Sequence, residues 1–313
     1  MDALITAIMV NWNGAQLVET ALTSVLAQKP TIRIIFVDNN SCDGSASIPG
    51  RLTKDILVVH NKCNAGYAAA NNQALNLNIP SKYILLLNND VIFPDCIGLH
   101  KAVEYLESHP DEHGVCGRYE YPNGTFQRFY NQLPTPFNMA VSWGCGRHIP
   151  GLLEHSITRQ YYLLDADFSQ RFYIEQPAFS CVLLRCSSAN KVGFLDERFP
   201  IFFNDVDYCW RWRLHGMKWM YLPDWRIIHH HSYSTSKMQS LRSAELFSSA
   251  INFSRKHFRP SIALGVAVMI FFEACWRKYR HCDFAVPLRA IWEGKTFFRD
   301  LSDAKTTETL IKP

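Results

Sequence analysis

The chain lacks most of the short signatures that identify nucleotide, metal and membrane proteins. Across its 313 residues there is no G-x-G-x-x-G and no G-x-x-x-x-G-K-[ST], so neither a dinucleotide fingerprint nor a phosphate-binding P-loop is supported. Its ten cysteines include no C-x-x-C pair and no histidine-linked zinc spacing, which argues against a structural metal and for mostly buried thiols in a reducing cytosol. Charge of one sign is also scarce: a net +4 does not argue for nucleic acid, although basic residues thicken after Arg242. The longest apolar run, Ile262 to Phe272, is about eleven residues against the roughly 20 that a membrane-spanning helix needs. It therefore reads as a buried helix or as one lying on an anionic leaflet with its Lys and Arg at the head groups. The first residues have no basic head and lead directly into Leu4–Val10, a strand-like stretch too short for a signal peptide, so a cytoplasmic protein is expected.

What is present is an alternation of buried strands and amphipathic helices. Leu4–Val10 reads as a strand, followed by a helix with apolar positions at Leu17, Ala21, Leu22, Val25 and Leu26, then strands at 32–37 and 56–60. The run Tyr83-Ile84-Leu85-Leu86-Leu87-Asn88-Asn89-Asp90 is apolar on both faces and stops abruptly in two amides and a carboxylate. That is the pattern of a central strand in a mostly parallel sheet flanked by helices, where ligands gather beyond the carboxyl ends of the strands. Several strands end in polar clusters: Asp38 to Ser45, Asn64-Ala65-Gly66-Tyr67 with Asn71-Asn72, and Asn88-Asn89-Asp90. Taken singly, each is adequate turn chemistry. From 118 to 175 the pattern weakens into an aromatic, proline-containing stretch, expected to be an irregular acceptor-side insertion with a helix near residue 137. Beyond it, strands are expected at 179–185 and 219–222. Between them lies an amphipathic helix after Asn204-Asp205-Val206-Asp207, with Val206, Cys209, Trp210 and Leu214 facing the core. Residues 241–313 read as a helical tail, basic and apolar, with 255–282 as its membrane-facing part.

In this order the segments resemble family 2 glycosyltransferases of the GT-A fold, close to the bacterial rhamnosyltransferase-like group. The resemblance is carried by Val10-Asn11-Trp12-Asn13-Gly14, Val37 to Ser45, Asn64 to Tyr67 with Asn71-Asn72, Leu87 to Asp90, and Asn204 to Asp207, with His229 and Ser234 as a sixth piece. It covers residues 4–236 and implies a GT-A domain over 1–240; the tail matches with less force.

The resemblance implies a nucleotide-diphospho-sugar donor, a glycan or lipid-linked glycan acceptor, and Mg²⁺ or Mn²⁺. A departing diphosphate concentrates negative charge, which a divalent cation with oxygen ligands stabilises. Asp90, closing an Asn-Asn-Asp version of the D-x-D motif, is the implied metal ligand, and His229 a further one, with His230 and His231 as rivals. Donor-binding residues implied are Asn11, Asp38, Asn40, Gly66, Asn71, Asn88 and Asn89, with Asp38 accepting from the base or ribose. Inversion needs a carboxylate to deprotonate the acceptor hydroxyl; the resemblance assigns this to Asp205, with Asp207 as the competitor that could instead hold Arg211. The family's usual Glu before the base is Asn204 here, which removes a like charge beside it. The expected reaction is rhamnosyl transfer from dTDP-rhamnose to a growing, lipid-linked surface polysaccharide, at the inner face of the plasma membrane. A UDP-hexose or UDP-N-acetylhexosamine transferase, a non-catalytic nucleotide-sugar or glycan-binding protein, and a generic nucleotide-binding α/β protein without metal dependence are the alternatives.

Overall fold

The computed structural model of the protein describes residues 3–230, 239–281 and 288–296. Strands and helices alternate through the first seven segments and then lose strict alternation. In chain order they begin with β1 (Ile5–Asn11), α1 (Val18–Leu26), β2 (Ile32–Asp38), α2 (Ile48–Leu52), β3 (Leu57–His60), α3 (Tyr67–Leu75), β4 (Tyr83–Asn88), β5 (Val91–Ile92), α4 (Gly98–Ser108), β6 (Gly114–Glu120), β7 (Tyr130–Asn131), α5 (Pro136–Ser142) and α6 (Ser156–Tyr161). After them come β8 (Phe172–Ile174), β9 (Gln176–Pro177), β10 (Cys181–Arg185), α7 (Cys186–Val192), α8 (Asn204–Leu214), β11 (Trp219–His229), α9 (Gln239–His257), α10 (Pro260–His281) and α11 (Leu288–Trp292).

The main sheet runs β3-β2-β1-β4-β10-β6-β11-β5, with β8 on the flank of β11. Strands β3, β2, β1 and β4 are mutually parallel, β10 is antiparallel to both its neighbours, and β6 runs parallel to β11. The central place of β4 follows from its composition: Tyr83 to Leu87 are all buried, as a strand covered on both faces requires. Register then brings the polar strand ends together. Asn11 is level with Asp38, Val10 with Asn88, and His229 with Val91. One hydrophobic core surrounds this sheet. A second joins α5, the loop before α8, and helices α9, α10 and α11 through Met139, Phe203, Phe247, Phe253 and Ile270.

Several expectations need correction. The strand foreseen at 219–222 continues to His229 through an irregularity between Leu222 and Arg226, where Pro223 and Asp224 interrupt the apolar pattern without ending the strand. On α8, Cys209 is buried and Val206 and Trp210 pack half-buried against the core as expected, but Leu214 is 71 % exposed, and Tyr208 and Trp212 are buried as well. Indole stacking of Trp212 on Trp219 at 4.5 Å holds Trp212 inward. Residues 118–175 do contain a helix at 136–142, but also strand and helix segments too short to leave a periodic signal. The cysteines are not mostly buried: Cys42, Cys63 and Cys96 are exposed, and all described ones are free thiols. Finally, the eleven-residue apolar run is the middle of the 22-residue α10, whose span Pro260–Arg280 is long and apolar enough, by length and composition, to cross a membrane. One side of it nevertheless packs against α9 and α5 through Ala263, Val266, Ala267, Ile270 and Ala274. Ser234 and His231 lie outside the described residues.

Candidate active site

The end of β4 delivers Asn88, Asn89 and Asp90 to the mouth of a cavity of about 500 Å³. Asp90 is 6 % exposed, its Oδ1 accepts no hydrogen bond, and that oxygen lies 3.4 Å from Nε2 of His229. The other ring nitrogen, Nδ1, is 2.8 Å from Gln127 Oε1. An amide oxygen can only accept, so Nδ1 carries a ring proton and Nε2 is the nitrogen turned toward the carboxylate. A carboxylate oxygen and an imidazole nitrogen turned toward one another are held together by a cation or a proton between them. Asp90 and His229 therefore fit a divalent metal as two of its ligands. Among the described residues there is no cluster of three or more metal-binding side chains, so the remaining ligands would come from a diphosphate and water.

Beneath this pair lies a polar floor. Asn11 donates from Nδ2 to Asp38 Oδ1 at 2.9 Å and Ser45 Oγ at 2.8 Å, and its Oδ1 accepts from Asn89 Nδ2 at 2.7 Å. Asp38 Oδ2 accepts from the Ser41 backbone N–H at 3.0 Å. The network ties the ends of β1, β2 and β4 into one rigid unit, because breaking any link would leave a buried polar group unsatisfied. Of the implied donor residues, Asn88 and Asn89 line the cavity; Asn11, Asp38, Asn40, Gly66 and Asn71 do not. Asn11 and Asp38 brace the floor instead. Asn40 is exposed with φ 60°, and its neighbour Asn39 takes the place on the wall. Gly66 has φ 91°, and a Cβ there would stand 2.9 Å from Pro200 Cβ and its carbonyl oxygen, so it shapes the segment leading to α8. Asn71 is fully buried, donating to Tyr67 O at 2.9 Å.

The opposite wall carries Asp205. The chain reaches α8 through Phe203, a left-handed non-glycine residue with φ 64°. Its ring is held against Trp143 and Phe253 at 5.6 and 5.5 Å. That packing over-determines a backbone conformation costing on the order of 1–3 kcal/mol. Asp205 Oδ1 accepts from Val206 N–H at 2.8 Å and Oδ2 from Gln176 Nε2 at 3.2 Å. Burial raises its pKa to about 6, despite the opposing hydrogen bonds from Val206, its own N–H and Gln176. The carboxyl is thus poised near neutrality. Asn204, where the family pattern has Glu, turns inward and donates to Ile201 O at 2.6 Å, supporting the same loop.

Asp207 is engaged elsewhere. Fully buried, it receives Arg211 Nε at 3.0 Å, His257 Nε2 at 2.7 Å and the Lys256 ammonium, which also reaches Asp196 at 2.7 Å. Its burial opposes ionisation, but the His257 and Lys256 hydrogen bonds outweigh that and lower its pKa. This carboxylate fastens α8 to α9 and is not offered to the cavity.

Sequence reasoning missed Asn39, Tyr67, Gln176, Arg242 and Leu246 as cavity residues. Asn39 and Tyr67 do belong to quoted motifs but were not singled out within them; Arg242 and Leu246 lie outside every motif, and Gln176 lies in a two-residue strand that leaves no periodic trace. The aromatic stretch 118–175 gave the one usable signal: Arg128, Phe129, Asn131, Trp143 and Tyr161 from it line the cavity.

Comparison with known proteins places the chain. The family model described as "Glycosyl transferase family 2" matches residues 6–177. An N-acetylglucosaminyl-diphospho-decaprenol L-rhamnosyltransferase of Mycobacterium tuberculosis is 23 % identical over 249 residues, covering 76 % of this chain and 79 % of that protein. Among solved structures, the mannosyltransferase PcManGT from Pyrobaculum calidifontis in complex with GDP-Man and Mn²⁺ superposes with a TM-score of 0.54 at 14 % identity, covering 99 % of this chain and 86 % of that one. The S. aureus TarS 1-349 complex with UDP-GlcNAc gives 0.52 at 13 % identity, covering 93 % and 78 %. At these identities the structural likeness concerns the fold, and that fold is GT-A.

Proposed function

The chain belongs to glycosyl transferase family 2, and from that premise we propose that it is an inverting, metal-assisted transferase acting on a lipid-linked glycan. The observation that carries the reading is one cavity lined by two carboxyls in different surroundings: Asp90 beside His229, and Asp205 with its raised pKa. The first pair suits a cation and the second carboxyl a general base. Above pH 6 or so, Asp205 is ionised and takes the proton of an acceptor hydroxyl. The oxygen then bonds to the anomeric carbon as the bond to the nucleoside diphosphate breaks on the opposite face, which inverts the configuration. Asp90 and His229 would hold Mg²⁺ or Mn²⁺, which supplies positive charge to the departing diphosphate. Gln176 orients Asp205, and the Asn11–Asp38–Asn89 floor keeps the donor wall from yielding.

L-rhamnose from a dTDP donor is the sugar favoured, because the rhamnosyltransferase relative matches this chain over most of both lengths. That relative's name also favours a diphosphate-linked lipid acceptor. The exposed side of α10 suits work at a membrane surface: Ile262, Leu264, Phe272, Trp276 and Tyr279 face outward, and Arg280 stacks on Trp276 at 4.8 Å. Such a face can lie in the head-group region of an anionic leaflet. The test is transfer by the purified full chain from dTDP-rhamnose, UDP-GlcNAc and GDP-mannose, each with Mn²⁺ or with EDTA. The acceptor is an alkyl diphosphate-linked N-acetylglucosamine, and the product anomer is read by NMR. Metal-dependent rhamnosyl transfer with inversion is expected; donor binding without transfer from any of the three would refute the enzymatic reading.

A further inference from the structure

Among the described residues neither arginine of the cavity has an acidic partner, and only Arg242 makes no hydrogen bond to another described residue. Arg242 lines the wall that α9 contributes, half-buried, with its guanidinium 5.9 Å from the centre of the Phe202 ring. Among the described residues no carboxylate lies within ion-pair distance of it. The other arginine on the cavity is already used: Arg128 donates from Nη1 to Leu163 O at 2.7 Å and Tyr162 O at 3.3 Å, and lies over Phe168 at 5.3 Å. Elsewhere on α8 and α9, Arg211 pairs with Asp207, Arg213 with Glu175 and Lys256 with Asp196 and Asp207, while Arg255 lies over the Trp292 ring at 5.2 Å. Partial burial of a guanidinium without a counter-charge is unfavourable, so an anionic ligand is the natural complement. Arg242 also stands in the first turn of a 19-residue helix, whose N-terminal end adds positive potential.

The surroundings say which part of a ligand comes here. Phe202, Phe203, Trp143 and Leu246 form an apolar wall beside Arg242, suited to the face of a sugar ring and the first carbons of a lipid. Phe202 and Phe203 lead directly into Asp205, so this wall continues into the candidate base. The donor's diphosphate already has a place at Asp90 and His229 on the other wall. From this arrangement we infer that Arg242, on its aromatic wall, is a subsite for the phosphate of a phosphate-linked glycolipid acceptor, and selects such acceptors over neutral glycans. The inference deepens the transferase reading and rests on it for the word acceptor.

Binding separates the two. Calorimetric titration of the full chain with octyl-diphospho-N-acetylglucosamine and with neutral octyl N-acetylglucosaminide compares the wild type with Arg242→Gln and Arg242→Lys, each checked for an unaltered thermal midpoint. We expect the wild type to prefer the charged probe by on the order of tenfold or more, as one charge-assisted contact supplies. Arg242→Gln should erase that preference, and Arg242→Lys should keep part of it. Titration with dTDP distinguishes the donor. If Arg242→Gln weakens dTDP and leaves the charged probe's advantage, the guanidinium serves the donor and the inference is overturned. Equal weakening of both octyl probes, or no preference in the wild type, overturns it as well. Loss of the transferase reading would show as absent turnover with these binding differences intact.

Discussion

Replacing Asp205 by Asn should remove activity and increase stability, and the two effects have one cause. Burial lifts the carboxyl from 3.8 to about 6, a shift of about two units, or roughly 3 kcal/mol at about 1.4 kcal/mol per unit. The sign follows from proton counting. Between pH 3.8 and about 6 the folded protein holds this proton more tightly than the unfolded chain, so stability falls as pH rises through that window. Above it the full cost is present; below pH 3.8, where both states are protonated, there is none. An amide has no charge to desolvate, and its one oxygen can still accept from Val206 N–H, while its NH2 takes the place of the oxygen that faced Gln176. Asp205→Asn should therefore be more stable than wild type by up to about 3 kcal/mol at pH 7.5 and nearly equal to it at pH 3.5. Transfer should drop by about 10²–10⁴, the usual contribution of a general base, with donor affinity preserved. In the wild type, kcat/KM should fall about tenfold per pH unit below 6. Urea denaturation at the two pH values and a pH–rate profile are the assays. A variant that keeps turnover, or that is destabilised at pH 7.5, refutes the reasoning.

Two further substitutions probe the other carboxylates. Asp90→Asn should cost at least about a hundredfold in transfer and abolish Mn²⁺-dependent donor binding, measured by titration with and without the metal. Its thermal midpoint should hold, because an amide of the same shape keeps a polar contact with His229 Nε2. Lys256→Met should destabilise by about 1–3 kcal/mol in urea, less than the loss of a sole partner, since Arg211 and His257 still serve Asp207. The lowered pKa of Asp207 makes its stabilisation complete above pH 3.8 and lost as pH falls through the folded value. Lys256→Met should shrink the acid-side loss of stability accordingly, and a double substitution with Asp207→Asn should be non-additive.

Legibility varied with the physical range of the signal. Strand β4 could be read because burial on both faces demands an unbroken apolar run, and Asp90 because that run ends abruptly. Asp205 and Asp207 were harder to separate. Two residues apart on the first turn of a helix, they are chemically alike; the i,i+4 pairing of Asp207 with Arg211 could be foreseen, but the cations that clamp it from α9, some 50 positions later, could not. Likewise Asn11 and Asp38 were placed correctly at the strand ends, but whether they face a ligand or each other depends on the register of β1 with β2. The length of α10 was underestimated because its ends are basic and polar; counting consecutive apolar residues finds the middle of the helix, buried and exposed faces alike, and not its ends.

What the amino-acid sequence determined by itself was the alternation of strands and helices, the polar ends of the strands, and the family they spell out, since each depends on residues close together in the chain. What only the tertiary structure decided was the division of labour: which acid is clamped and which is left in a cavity, that His229 faces Asp90, that Gln176 reaches Asp205, and that Arg242 has no acidic partner among the described residues. Those outcomes depend on contacts between segments tens to more than a hundred residues apart. Desolvation and pairing set the charge state of a side chain, and neither exists until such segments meet.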